Sequence, residues 1–240
     1  MLDNIDLEKV LVLDIETVPA YAHYDSMPES WQKLWNRKSS TLSASKEGQT
    51  PSQVYNRAGI YAEFGKIICI SVGFFTHSGN LRQFRVKSFY GDDEKMLLNE
   101  FITMLEQHFN EPDHLLCAHN GKEFDFPYLC RRILINGLHI PYILNISGKK
   151  PWEIHHLDSM ELWKFGDYKN YTSLELLASV FDVPTPKDDI DGSMVWHVYH
   201  VEKDLERIRV YCQKDVITVA QLLLKLRNER MLDEADIFVA

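Results

Sequence analysis

The sequence predicts an α/β fold in which a mixed sheet of five strands carries helices on both faces, and three observations predict it. The first is a near-continuous apolar run, Lys9 to Asp14, that ends in an acid and reads as a central strand buried on both sides. The second is a pair of strand-patterned segments joined by a short turn, as in a hairpin. The third is the order that follows, helix, strand, helix, strand, helix, which places helices on the faces of a sheet with both parallel and antiparallel pairs.

The elements follow in chain order. Lys9 to Asp14 is the first strand. After Val18 the pattern breaks, and Trp31, Leu34 and Trp35, spaced i, i+3, i+4, predict a short helix followed by the Ser/Thr/Gln-rich stretch Ser39 to Gln53. Residues 20–60 therefore read as a mobile insertion. Lys66 to Thr76 is a strand, Ser78-Gly79-Asn80 a turn, and Leu81 to Tyr90 a second strand. Along that strand Phe84 and Val86 fall on one face, with Gln83, Arg85 and Lys87 on the other. Asp92 to Phe109 has a helical apolar period and acids suited to a helix N-terminus. A short strand is expected near His114 to Ala118, a helix from about Pro127, a strand at His155 to Ser159, and helices at Thr172 to Phe181 and Val201 to Arg227.

Composition narrows the class. At 240 residues, with 45% hydrophobic and 25% charged content, residues 1–240 are expected to form one domain with a sizeable core. The longest apolar run, Ile67 to Phe75, is too short to span a bilayer, and Met1 to Glu8 lacks the basic flank and apolar core of a secretory signal. A cytoplasmic protein without a membrane span is expected. Cys69, Cys117, Cys130 and Cys212 form no C-x-x-C pair, which argues against a thiolate zinc site and a disulfide framework and for reduced, buried side chains. His155-His156 and His197-x-x-His200 have no third soft ligand at suitable spacing for zinc. The net charge of −9 counts against a broad basic nucleic-acid surface. The charge is uneven, however: residues 31–58 carry Lys33, Arg37, Lys38, Lys46 and Arg57 against Glu47 alone.

Three acidic positions point to chemistry through their placement. Asp14 and Glu16 form D-x-E, and two residues apart on an extended chain they share a face. The spacing recurs at Asp6/Glu8, Asp92/Glu94 and Asp204/Glu206, but only the Asp14 copy ends a buried strand, where a hard divalent cation would offset the cost of a buried carboxylate. The alternative is a strand-end acid that caps a turn. Asp215 interrupts the apolar seam Ile208, Tyr211/Cys212, Val219, Leu222, Leu226 of the last helix, one turn after Tyr211. It reads as a ligand reaching a site beneath the helix, or as a hydrogen-bonded core acid. Asp125, in the loop His119 to Pro127, is by itself best read as an N-cap before a Pro-started helix.

Taken together, Leu13-Asp14-Ile15-Glu16-Thr17, Asn120 through Phe124-Asp125, and Tyr211 through Asp215 resemble, in order, the three motifs of the DEDD superfamily of 3′-5′ exonucleases, tyrosine subgroup. The nearest likeness is to the proofreading domain of family B DNA polymerases. Phe126 to Leu129 with Arg132, and Tyr171-Thr172-Ser173-Leu174, also look like stretches of that domain. Asp191 to Trp196 and Tyr211-Cys212 look like its stand-alone bacterial relatives. The resemblance runs from about residue 9 to 226, which suggests a free-standing exonuclease. Leu13 stands where Phe is common, and residues 31–58 have no counterpart in the proofreading domain.

The resemblance implies a ribonuclease H-like fold, two Mg²⁺ or Mn²⁺ ions, and a DNA substrate with a free 3′ end, single-stranded, cleaved to nucleoside 5′-monophosphates. It implies that Asp14 bridges both metals, that Glu16 and Asp215 complete the site of the attacking water, that Asp125 serves the second metal, and that Tyr211 orients the water. Thr17, Asn120 and Phe124 match positions that line the 3′-nucleotide site. Two competing readings share these residues: a 3′-end RNA-trimming nuclease, and a catalytically silent nucleic-acid binding module.

Overall fold

A computed structural model describes residues 2–42, 48–79, 81–167, 169, 171–184 and 190–240. Lys46, Glu47 and Asn80 lie outside the described residues. The strands are β1 (Val10–Pro19), β2 (Gly65–Ser78), β3 (Leu81–Tyr90), β4 (Leu115–Ala118), β5 (Leu157–Asp158) and β6 (Ile237–Val239), in the sheet order β5-β4-β1-β2-β3-β6. β2 runs antiparallel to both β1 and β3, whereas the β1/β4, β4/β5 and β3/β6 pairs are parallel. The mixed α/β fold is as the sequence predicts, with one more strand than the five expected. Three residues with no room for a pattern form β6, which adds to the outer edge of β3.

The main helices are α1 (Glu29–Ser39), α2 (Glu94–His108), α3 (Asp125–Ile135), α4 (Ser159–Lys164), α5 (Leu174–Val180) and α6 (Leu205–Leu226). Alternation along β1 sets the layers. Leu11, Leu13 and Ile15 pack with Leu98 and Phe101 of α2 and Phe126 and Leu129 of α3. Val10 and Val12 point the other way, onto Val216, Val219, Ala220 and Leu223 of α6. β1 is thus central and covered on both faces, which explains why its apolar run is nearly unbroken.

The last helix starts later than its apolar period suggests. Val198–Glu202 forms a π-turn, Lys203 adopts the left-handed conformation at φ 60°, and Asp204 caps α6 by accepting from the Arg207 N–H. A residue held left-handed cannot continue a right-handed helix, so the turn and α6 are separate.

The insertion is tied to the body. Trp35 is fully buried among Met27, Val54, Tyr55, Ala58 and Phe64, and its indole N–H donates to the Pro51 carbonyl at 2.8 Å. The described part of the stretch expected to be mobile is therefore anchored. Tyr128 of α3 donates to the Gly59 carbonyl at 2.7 Å, and Gly59 itself packs so closely on β1 that a Cβ there would lie 3.1 Å from Val18.

A buried ion pair joins α2 and α3. Arg132 donates to both Glu94 oxygens, at 2.8 and 2.5 Å, and to the Ala62 carbonyl at 2.7 Å, while the Ile67 N–H and the Asn136 amide complete the shell around Glu94. Arg132→Met would leave Glu94 charged and unpaired in the interior. Its expected cost is roughly 3–5 kcal/mol of unfolding free energy, measured by urea titration; a loss within experimental error would show that the pair contributes nothing net.

Candidate active site

Asp14 and Glu16 continue the Val10, Val12 side of β1, so their carboxylates face α6. The register of β1 on β2 slips directly after them: Glu16 pairs with Cys69 and Thr17 with Ile67, passing over Ile68. Such bulges re-aim side chains beside functional sites. The other three D-x-E copies have structural partners. Asp6 caps a 3₁₀ turn, Asp92 accepts from the Tyr199 hydroxyl, Glu94 holds Arg132, and Asp204 caps α6. Asp14 and Glu16 have no comparable cationic partner among the described residues.

α6 brings in Tyr211, Cys212 and Asp215. It sits close to the sheet because Gly73 has no side chain: a Cβ there would meet the Phe84 ring at 2.3 Å and Val216 at 3.0 Å. The Cys212 thiol donates to Asp14, at 3.2 Å to Oδ2 and 3.4 Å to the carbonyl. The Tyr211 hydroxyl hydrogen-bonds Asp215, and burial together with the charges of Asp215, Glu16 and Asp14 pushes its pKa far above the usual phenol range. Tyr211 is therefore a proton donor at any physiological pH.

Asp125 arrives from the other side. The chain leaves β4 at Ala118 and turns through Asn120, held left-handed at φ 61°, and Gly121, where a Cβ would strike Ala118 at 2.4 Å. The turn is clamped by Asp158, whose carboxylate accepts from the N–H groups of Asn120 and Lys122 and from Met160 and Glu161 at the start of α4. Asp158 is a positioning residue, a role that depends on residues nearly forty positions away and so leaves no local signature. His119 is fixed in parallel, one ring nitrogen on Ser159 Oγ and the other on the Thr172 carbonyl.

Asp125 is not the N-cap that its local sequence suggests. The cap is Phe124, which makes no side-chain hydrogen bond, and Asp125 is the first residue of α3, 3% exposed. Burial raises its pKa to about 7, with backbone N–H groups of Asp125 and Ile15 pulling the other way and the charges of Asp158 and Asp215 adding to the rise. Burial also drives Asp14 well above its ordinary range, helped by Glu16, Asp215 and Asp125. Glu16 rises for the same reasons, burial first and then Asp215, Cys69 and Asp125. Asp14, Glu16, Asp125, Asp215 and Tyr211 are thus close enough for their charges to act on one another.

The residues fit a hard divalent cation. Asp14, Glu16 and Cys212 each present a potential ligand atom within 4.8 Å of the others. Cys212 is the one to set aside: burial holds its thiol protonated and it donates to Asp14, whereas Mg²⁺ and Mn²⁺ prefer carboxylate oxygen. Carboxyls whose pKa values burial and neighbouring acids push up release their protons readily to a divalent cation, because the cation offsets the repulsion among the ionised groups.

The expected substrate contacts surround this cluster. Thr17 hydrogen-bonds Tyr128, and Phe124 packs on the Tyr128 ring at 5.4 Å. The side-chain oxygen of Asn120 is buried with no hydrogen-bond partner among the described residues. The histidine pairs do not form a metal site. His156 accepts from the Leu116 N–H and donates to the Ile143 carbonyl, and burial lowers its pKa to about 4, while His197 faces Glu202. All four cysteines are free.

A family model described as "Predicted 3'-5' exonuclease related to the exonuclease domain of PolB" matches residues 60–237, a span that contains Asp125, Tyr211 and Asp215 and begins after Asp14 and Glu16. Among solved structures, the family B DNA polymerase from the hyperthermophilic archaeon Pyrobaculum calidifontis is similar at 14% identity and a TM-score of 0.54, over 90% of this chain and 24% of that one. The chain thus spans about a quarter of that polymerase, and at this identity the likeness concerns the fold. No match is found among curated proteins. Among the described residues, no helix is long and apolar enough to cross a membrane.

The raised carboxyls give the metal-free protein a definite pH dependence. The folded state holds the Asp125 proton more tightly than the unfolded chain, so its contribution to stability is complete below the ordinary value of 3.8 and is lost as pH rises through about 7. Melting followed in chelator should show Tm falling between about pH 4 and pH 7, less steeply in Asp125→Asn. Mn²⁺ should raise Tm more at the higher pH; equal stabilisation at both would contradict binding to these acids.

Proposed function

Since this chain belongs to the family of 3′-5′ exonucleases related to the exonuclease domain of PolB, we propose that it hydrolyses DNA from a free 3′ end, preferring single strands and releasing nucleoside 5′-monophosphates. What supports this reading is that Asp14 and Glu16 of β1 present ligand atoms within 4.8 Å of each other, that the charges of Asp125 from α3 and Asp215 from α6 act on both, and that neither has a cationic partner among the described residues. We read residues 1–240 as one exonuclease domain working in the cytoplasm, where its four free thiols stay reduced.

Asp14, Glu16, Asp125 and Asp215 would hold two Mg²⁺ or Mn²⁺ ions, which stabilise charge on the attacking and leaving oxygens of a phosphodiester. The protein's own groups do the positioning. Asp14 is locked by its pairing with Ser71 of β2, by the pairing of Val10–Val12 just before it with β4, and by the Cys212 thiol. Asp125 is aimed by the turn that Asp158 clamps. Tyr211, held protonated and bonded to Asp215, orients the attacking water and does not serve as its base. Thr17, Asn120 and Phe124 line the site of the 3′-terminal nucleotide, where the unpaired Asn120 oxygen would accept a hydrogen bond from the substrate.

A time course on 5′-labelled single-stranded DNA, with a matching RNA, in Mg²⁺ or Mn²⁺ and in chelator, tests the proposal. The expected result is a metal-dependent ladder descending from the 3′ end, faster on DNA, and lost in folded Asp14→Ala and Asp215→Ala proteins; full activity in either would sink the assignment. A faster ladder on RNA would instead select the RNA-trimming reading, and binding without cleavage in either metal the silent module. Tyr211→Phe should lower kcat by roughly 10–100-fold with KM nearly unchanged, and a change confined to KM would contradict a water-orienting role.

A further inference from the structure

The insertion is seated at the C-terminal end of β1, the end that carries Asp14 and Glu16, where the Ala20 N–H donates to the Phe64 carbonyl at 2.8 Å. Tyr128 links it to the cluster, bonding Gly59 on the insertion and Thr17 beside the acids. At about 3.3 Å per residue, the four steps from Glu16 to Ala20 cover about 13 Å, a distance spanned by the last few nucleotides of an extended strand.

Its outer face has the chemistry such a strand needs. On α1, Trp31 and Leu34 are 37% and 48% exposed, and Arg37 and Lys38 are exposed beside them. The Trp31 ring rests against Phe64 at 5.7 Å, which holds it in place and leaves part of it open. Lys38 lies 4.3 Å over the Tyr61 ring, and Arg57 is exposed on the following turn. Lys33 pairs with Glu29 at 2.6 Å, but among the described residues no carboxylate pairs with Arg37, Lys38 or Arg57. In a chain of net charge −9, the described residues between 31 and 58 include four cations and no acid. The family match begins at residue 60 and so covers neither α1 nor Arg57.

We propose that the outer face of the insertion is a track for single-stranded nucleic acid upstream of the 3′-terminal nucleotide, with Arg37, Lys38 and Arg57 on its phosphates and Trp31 stacking on a base. The location of the 3′ end rests on the exonuclease reading; the binding does not. Electrostatic contacts of this kind are sequence-independent and weaken with salt, while stacking tolerates any base.

Fluorescence anisotropy with a labelled oligothymidylate of about 12 nucleotides, in chelator so that nothing is cleaved, tests the track directly. Arg37→Glu/Lys38→Glu should weaken binding at least tenfold and reduce the salt slope by about two phosphates' worth between about 50 and 200 mM. Trp31→Ala should weaken it by roughly fivefold or more. Lys95→Glu/Lys149→Glu, which alters net charge equally away from the insertion, should have little effect. The advantage in cleavage rate of longer strands over a dithymidylate should disappear in the insertion variants. Unchanged affinity in both insertion variants, or an equal loss in the control, would overturn the proposal. If the wild type binds through this face but cleaves nothing, the track stands and the exonuclease reading fails.

Discussion

Burying several like charges at one place is the constraint on which the rest of this structure depends. Asp14 and Glu16 face α6 from the middle of the sheet, Asp125 enters from the start of α3, and Asp215 stands on the seam of α6. Each carboxyl raises the pKa of its neighbours, and burial raises them further. A fold that only had to be stable would separate such groups or pair each with a cation, as it does with Glu94 and Arg132. Here the surroundings keep them together: a central strand paired on both sides, a helix brought close by Gly73, and a turn clamped by Asp158. Their repulsion is what makes the site receptive to a doubly charged cation.

The supporting contacts share a logic. Asp158 and Tyr128 do not join the acidic cluster as ligands, yet each fixes a backbone segment that carries a member of the site. Asp158 uses four backbone N–H groups, more than a simple helix cap requires, because it caps α4 and braces the Asn120–Lys122 turn at once. Cys212 restrains Asp14 through a neutral thiol, which adds a hydrogen bond without adding charge. Precision is supplied by neutral or backbone donors, and among the described residues Asp14 and Glu16 have no competing cation.

Much of this was legible in the sequence, for reasons that differ by residue. Asp14 stood out because it ends a strand buried on both faces, and Asp215 because it interrupts an apolar seam; in both cases local period exposes the anomaly. Asp125 was not separable from an N-cap, since only the packed structure shows that Phe124 holds the cap position and that Asp125 is enclosed. Cys212 read as one more apolar residue because its partner is 198 positions away. Asp158 gives no signal in period or spacing, since its duty lies largely with the backbone groups of a distant turn. The start of α6 was misplaced because apolar period runs through the π-turn, although Asp204 is a readable cap.

That separation of 198 positions between Asp14 and Cys212 has a bearing on the life of the chain before it is complete. During synthesis β1 leaves the ribosome well before α6, the helix that carries Tyr211 and Asp215. Contacts of such high sequence separation form only after the intervening chain has been ordered. A nascent chain therefore displays half of its acids without the other half, and a truncated product is left with an incomplete cluster. Wide dispersal along the chain thus withholds the complete acidic cluster from any molecule in which these elements have not all been made and folded.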